Sequence, residues 1–376
     1  MKPGPAGRAA AGESPYLKRL RDLAGECGVT RLADITRLDE IGIPVWQAIR
    51  PAGRSLSVHQ GKGRSALDAK IGALSEAIEA HSAEEVAADG PHARVCDLPP
   101  DSVAARLCDY SRWRHAAPPR GRIAWCSAAD VRTGKTHYLP HALVSLDFTR
   151  PCEPWFERSS TGLGAGPDEA AALRTALCEL VERDAVGEWE RSGTVSRIER
   201  AVGLDTVPFG WFQELRQRVE TLGASIRLFA PEAAIELPVL ACWIEGPERF
   251  GSRWRRFGGS GADGDPEIAL YRAVAEAAQS RLTFIAAVRD DMLPSAYRGN
   301  QAPSEMRLPP VPPGFDPIGW SEIPGHGRSA AAIVEALSGR GYRQIVSKRL
   351  DGGMDGVAVV KAFVPGLGSL SRTRAP

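Results

Sequence analysis

Three stretches of the chain carry apolar residues at helical spacing over several turns, and a cluster of glycines precedes each one. "GKGRS" (Gly61 to Ser65) leads into a helix expected over Ala66 to Ala80, with Ser65 as its N-cap. "SSTGLGAGPDEAA" (Ser159 to Ala171) leads into a second long helix, with Pro167 near its first turn and acids following. "FGGSGADGDP" (Phe257 to Pro266) leads into a third, expected from about Glu267 to Val288. The glycine clusters read as loops. Shorter helical patterns cover Tyr16 to Gly28, Phe212 to Leu222 and Ser329 to Leu337. "ITRLDEIGIPVWQAIRP" reads as extended, and "RTGK" (Arg132 to Lys135) reads as the turn of a hairpin. Further strands are expected near Ser225 to Phe229, Pro238 to Glu245, Gln344 to Lys348 and Val357 to Val364.

The layout is α+β without regular βαβ alternation, and no array repeat is present. It predicts a single domain over residues 16–376 behind a disordered tail, 1–15. A proline-rich connector is expected at about 302–317, followed by a C-terminal subregion, 318–376.

Composition narrows the function classes. Apolar residues make up 43% and charged residues 25% of 376, and the net charge is +1. No global field favours nucleic acid or an anionic membrane. The cluster "RWRRF" (Arg253 to Phe257) reads as a solvated strand or loop. The seven cysteines form no C-x-x-C pair and are odd in number, which argues against a zinc ribbon and a secreted disulfide framework. A reducing, cytoplasmic location is expected. The N-terminus lacks the apolar core of a signal peptide, and no run of about 18 apolar residues offers a membrane span.

Two of the long helices carry Glu-x-x-Glu: Glu76 with Glu79, and Glu179 with Glu182. Residues three apart share a helix face. Here the neighbours are alanine, leucine, isoleucine and valine, so the carboxylates point where an unpaired charge costs several kcal/mol, roughly. Ordinary ion pairs with arginine are one solution. Convergence on a hard divalent cation is the other, and Mg2+ then usually brings phosphate. Lys62 in "GKG", Arg183 one turn after Glu179, and the three helix N-termini are candidate anion partners. "GKGRS" lacks Walker A spacing and "GLGAGPDEA" fits G-x-G-x-x-G poorly, so a nucleotide would need another scaffold. No G-x-S-x-G elbow is present, the histidines are scattered, and Cys178 inside an apolar helix reads as an inert buried thiol.

The three blocks "QGKGRSALDAKIGALSEAIEAHSAE", "STGLGAGPDEAAALRTALCELVERDA" and "DPEIALYRAVAEAAQSRLTFIAAVRDD", with "DITRLDEIGIPV" and "VAVVKAFVPGLG", resemble the signature blocks of YcaO-domain proteins over roughly residues 30–370. "RPAGRSLSVHQGKG" and "EAAQSRLTFIAAVRDD" are most similar to the subgroup that acts with TfuA-like partners. The resemblance implies an α+β YcaO fold with an acidic, non-Walker site for ATP and Mg2+. It implies phosphorylation of a backbone amide in a ribosomally made precursor peptide, then thioamide or azoline formation. Glu76, Glu79, Glu179 and Glu182 fall on the family's acids and become metal ligands. With Arg183 they are the catalytic set. Gly61, Lys62, Gly63, Ser160, Arg183, Glu276, Gln279 and Arg281 become nucleotide or substrate contacts. A TfuA-like partner and a homodimer are further implications.

The chain departs from the family pattern at Gly72 (serine), Ala80 (arginine), Pro167 (asparagine) and Ala171 (acid), with Glu169 close enough to substitute for the last. It ends "SRTRAP" without the proline-rich tail of azoline-forming members. The expectation is therefore thioamide chemistry, with azoline formation or a non-catalytic scaffold as the rivals.

Overall fold

The computed structural model describes residues 14–100, 119–151, 155–246, 256–292, 311–312, 314–325, 327–350 and 352–367. Residues 1–13 of the expected tail, most of the connector, the residues 253–255 of "RWRRF" and the last nine residues lie outside them, while Ser14 and Pro15 are described and the first helix already begins at Pro15.

In chain order the elements are α1 (Pro15–Glu26), β1 (Arg31–Asp34), β2 (Val45–Ile49), β3 (Val58–Lys62), α2 (Ala66–Glu85), β4 (His92–Ala93), β5 (Ile123–Asp130), β6 (Thr136–Pro140), α3 (His141–Val144), β7 (Leu163–Gly166), α4 (Glu169–Arg191), α5 (Thr194–Ile198), α6 (Gly210–Thr221), β8 (Ser225–Phe229), β9 (Val239–Glu245), β10 (Phe257–Ala262), α7 (Pro266–Ala286), α8 (Ala330–Gly339), β11 (Val346–Arg349) and β12 (Ala358–Phe363). They build three antiparallel sheets: β1-β2-β3, β10-β9-β8, and β4-β5-β11-β12-β7 with β6 paired to β5. The fold is α+β, as the pattern predicts.

Two expectations need correction. "ITRLDEIGIPVWQAIRP" is not extended throughout, because Thr36–Leu38 forms a 3-10 turn held by Thr36 against Val45. The glycine clusters are not simply loops. Their glycines lie largely in β3, β7 and β10, and each of these strands is the edge of its sheet. Glycine usually weakens a strand. Here it lets the strand lie directly on the helix that follows. A methyl group on Gly61 would collide with Ala69 O and Ala73 N, one on Gly164 with Ala172 O and Ala176 N, and one on Gly261 with Ala269 O and Ala273 N.

These contacts reveal a threefold internal register. Gly61, Ser65, Ala69, Ala73 and Glu76 stand at the same offsets as Gly164, Asp168, Ala172, Ala176 and Glu179, and as Gly261, Asp265, Ala269, Ala273 and Glu276. Ser65, Asp168 and Asp265 each cap their helix by accepting a backbone N–H from its first turn. Pro167 therefore precedes the cap. The small alanines on α2, α4 and α7 are fully buried against their strands. Gly164→Ala is expected to lower stability by about 1–3 kcal/mol through overpacking, measured by urea unfolding, whereas Gly134→Ala, in open space at the hairpin turn, loses only the ease of its positive φ (71°).

Candidate functional site

The three strand–helix units close around a cavity of about 1210 Å³. α2 and α4 each divide their paired glutamates between two of these units. The first glutamate returns to its own unit: Gln60 N–H donates to Glu76 Oε2 at 3.2 Å, and Gly162 N–H donates to Glu179 Oε2 at 3.1 Å. The second residue reaches the next unit. Ala165 N–H donates to Glu79. Ala262 N–H and Ser260 Oγ donate to Glu182 at 3.0 and 2.6 Å. On α7 the corresponding pair is Glu276 and Gln279, and both accept from Lys62 Nζ, at 3.2 and 3.0 Å. The ring is thus closed by α2 on β7, α4 on β10 and α7 on β3. The carboxylates also occupy N–H groups of edge strands that would otherwise be open to pairing.

The structure divides the expected residues. Glu76, Glu79, Glu179, Glu182, Arg183, Gly61, Lys62, Ser160, Glu276 and Gln279 all line the cavity. Gly63 does not; it makes the close approach to Asp68. Arg281 does not either. Its buried guanidinium meets Asp39 at 2.9 Å and packs over Phe257, so it ties α7 to the first sheet. Gly72 and Ala80 form part of the cavity wall, whereas Pro167 and Ala171 lie at the start of α4. Glu169 is exposed, 3.9 Å from Arg349 and away from the cavity lining, so it does not stand in for an acid there.

Electrostatics separates the carboxylates further. Burial, with the neighbouring Glu76 and Glu179, pushes the Glu79 carboxyl up to about 8. Burial also raises Glu76 and Glu179, against the pull of Arg289 on the first and of Arg183 on the second. Glu276 moves the other way: burial would raise it, but Lys62 and Arg183 outweigh burial and hold it below the usual range. Arg183 lies 3.8 Å from both Glu179 and Glu276. One side of the cavity therefore has carboxylates short of positive charge, and the other has cations already engaged. Among the described residues no three acidic, histidine or cysteine side chains form a ready metal cage. Mg2+ is usually held by one or two carboxylates and completed by water and phosphate. Each Glu182 oxygen accepts a hydrogen bond from β10, from Ser260 Oγ and from Ala262 N–H. The residues present would fit Mg2+ on one or two of Glu76, Glu79 and Glu179, with phosphate near Lys62 and Arg183.

Sequence reasoning missed several lining residues. His59, buried beside Glu76 at 3.9 Å, has its pKa lowered to about 4 by burial and Arg50, so it is neutral near pH 7. Arg289 is braced by Asp291, and Arg158 lies beneath the ring of Phe148, which is 58% exposed at the cavity's edge. His59 and Arg289 lie within the blocks "RPAGRSLSVHQGKG" and "EAAQSRLTFIAAVRDD", but no spacing gives either a role there, and Arg158 lies outside every block. Cys178 is buried and its thiol is raised to about 11, as an inert core residue.

The raised carboxyls predict the pH response of the protein without ligands. Glu79 keeps its proton in the folded state between its ordinary 4.5 and about 8. The native state then binds more protons than the unfolded one. The stability from this group is complete below pH 4.5 and is lost as pH rises through about 8. Glu76 and Glu179 shift in the same direction and add to the loss. Urea unfolding should show lower stability at pH 8.5 than at pH 6, in roughly this window, with Glu79→Gln flattening the slope.

The sequence model of YcaO cyclodehydratases, described as ATP- and Mg2+-binding, matches residues 60–368. The chain belongs to the YcaO family. An uncharacterised protein in the tfuA 3′ region of Rhizobium leguminosarum bv. trifolii is 33% identical, over 96% of this chain and 91% of that protein. An uncharacterised Mycobacterium tuberculosis protein is 31% identical, over 95% and 82%. Among solved structures, YcaO from Methanopyrus kandleri bound with AMPPCP and Mg2+ superposes with a TM-score of 0.68 at 23% identity, covering 93% of this chain and 89% of that one. A heterocyclase in complex with substrate and cofactor gives 0.73 at 21% identity; this YcaO chain is spanned over 94% but covers only 52% of the heterocyclase. At these identities the structural likeness establishes the fold. ATP and Mg2+ are the cofactors of this YcaO family. No helix among the described residues is long and apolar enough to cross a membrane.

Proposed function

We propose that the protein uses ATP and Mg2+ to activate a backbone amide of a ribosomally made peptide, and that a TfuA-like partner lets sulfur replace the amide oxygen. The observation that carries the nucleotide part is the division of one cavity into charge-deficient carboxylates (Glu76, Glu79, Glu179) and a cationic side (Lys62, Arg183). Bound Mg2+ would neutralise charge on the phosphate oxygens held between them. Lys62, fixed by Glu276 and Gln279, would orient the terminal phosphates. Arg183, 3.8 Å from Glu179 and Glu276, would face the charge that develops as the phosphoryl group moves. The amide oxygen attacks the γ-phosphorus and ADP leaves. Sulfide then adds to the activated carbon, and the original oxygen departs with phosphate. At about 1210 Å³ the cavity exceeds the roughly 300–1,000 Å³ of a single small-molecule site. That leaves room for a peptide beside the nucleotide.

Support for the sulfur step comes from the Rhizobium relative, which lies in a tfuA 3′ region. Azoline formation is the second reading, favoured by the heterocyclase and by the E. coli microcin synthetase complex with pro-MccB17 bound, which has a TM-score of 0.63. The deciding experiment incubates the protein with ATP, Mg2+, a sulfide source, a TfuA-like protein and a peptide encoded beside its gene. Mass spectrometry then separates exchange of oxygen for sulfur from loss of one water. ATP-independent peptide binding with no mass change would instead support the scaffold reading. A homodimer, also part of the proposal, is checked by sedimentation.

A further inference from the structure

Among the described residues, Phe148 is the one aromatic side chain left exposed, and the one exposed large apolar side chain that lines the cavity. An exposed ring forgoes the stabilisation that burial gives. This ring is nevertheless held in place. The Arg158 guanidinium lies 5.4 Å from its centroid. The same guanidinium donates from Nη1 to Asp147 O and from Nη2 to Arg150 O, on either side of Phe148. Phe148 N–H donates to Arg54 O at 3.1 Å, and Leu146 N–H donates to Ala83 O at 3.0 Å. Buried Asp147 accepts from Thr149 N–H and from Arg54 Nη1.

Two more segments meet this one. Leu56 stands between Arg54, which takes the Phe148 N–H, and Ser57. Ser57 N–H donates to Asp290 Oδ2 at 3.0 Å, and Ser57 Oγ donates to Asp290 Oδ1. These bonds tie the turn after α7, which carries Met292, to the Leu56 segment. Leu56, Leu146, Phe148 and Met292 all line the cavity. Three segments far apart in sequence are thus stapled together, and each brings an apolar side chain to the cavity. A rigid apolar surface of this kind loses little conformational freedom when it binds.

We propose that Phe148, with Leu56 and Met292, seats an apolar side chain of the substrate peptide beside the amide that is activated, and that Arg158 is a positioning residue that holds the ring. The acidic and cationic sides of the cavity suit metal and phosphate, and the volume beyond one small molecule is continuous with this end. The carboxylates on the three segments are already engaged: Asp147 with Arg54, Asp290 with Ser57 and Asp291 with Arg289. A basic peptide side chain therefore gains little there, and an aromatic or large aliphatic one gains burial. The substrate class is a peptide with such a residue flanking the modified bond. This inference rests on the reading of the cavity as a nucleotide and peptide site.

The test titrates the full chain, with AMPPCP and Mg2+, with the capped peptides acetyl-Gly-Gly-X-Gly-Gly-amide, where X is phenylalanine, leucine, alanine, lysine or aspartate, and follows binding by NMR. The phenylalanine and leucine peptides should bind about tenfold more tightly than the other three. Phe148→Ser should abolish that preference, and Phe148→Leu should keep most of it. Arg158→Gln should reduce the preference, with Arg158→Lys restoring part. If Arg158 only braces the fold, its variants unfold at lower temperature and leave the ratio between phenylalanine and alanine peptides unchanged, which overturns its role. Equal binding of all five peptides, or binding of none, overturns the seat. So does a preference that survives Phe148→Ser, or loss of a TfuA-like partner from that variant with the preference intact. If another part of the chain covers the ring, Phe148→Ser lowers the unfolding temperature and the native protein shows no preference, which again overturns it. AMPPCP binding is read separately in the same samples. Its absence refutes the nucleotide reading, whereas AMPPCP binding without an apolar preference refutes only the seat.

Discussion

Glu79→Gln is expected to lower ATP turnover by about 10²–10³-fold while making the ligand-free protein more stable at pH 8. Glutamine keeps an oxygen for the Ala165 N–H and nearly the same volume. It removes a charge that burial and the neighbouring Glu76 and Glu179 disfavour. A side chain whose charge is costly without ligand and needed with it produces opposite changes in stability and rate. The paired measurement is steady-state ADP release alongside urea unfolding at pH 8. A variant that loses both activity and stability would mark Glu79 as a structural carboxylate instead.

Glu182→Ala is expected to do the reverse: a loss of about 2–4 kcal/mol of stability, because two buried donors lose their acceptor. Ser260 Oγ and Ala262 N–H both point at Glu182, which is 4% exposed. The change also opens a gap where α4 meets β10. Glu182→Gln should recover part of the loss by restoring one acceptor. Chemical denaturation of the three proteins reads the difference. An unchanged unfolding midpoint for the alanine variant would show that Glu182 is free to serve as a ligand.

The long helices and the Ser65 cap were legible in the sequence because period and capping chemistry are local, whereas the caps Asp168 and Asp265 were not picked out. Ser65, Asp168 and Asp265 cap α2, α4 and α7 as side chains of their type should. The glycine-rich strands were not legible. Glycine that permits a tight loop and glycine that permits a strand to touch a helix leave the same letters, and only the tertiary contact distinguishes them. The three-residue spacing of the acids correctly placed each pair on one helix face. It could not show that Glu182 spends both oxygens on β10 while Glu79 has one backbone donor. Arg281 was drawn into the site by its position in a helical block, but it lies beyond Gln279 on the helix and meets Asp39.

The pairing of Lys62 with Gln279 shows how the ring becomes asymmetric. At the other two junctions an alanine, Ala165 or Ala262, offers a backbone N–H to a glutamate. At the third a lysine side chain meets a glutamine, so one negative charge is absent and one positive charge is added. A repeated architecture thereby acquires an acidic side and a cationic side, the polarity that a metal–triphosphate pair requires.

Calorimetric titration of AMPPCP with Mg2+ into the native protein, beside Glu76→Ala/Glu179→Ala shown to be folded, tests the nucleotide site most directly. Mg2+-dependent binding in the native protein, absent from the double variant, is the predicted result. Equal binding by the two proteins would place the nucleotide elsewhere and contradict the assignment of the acidic helices.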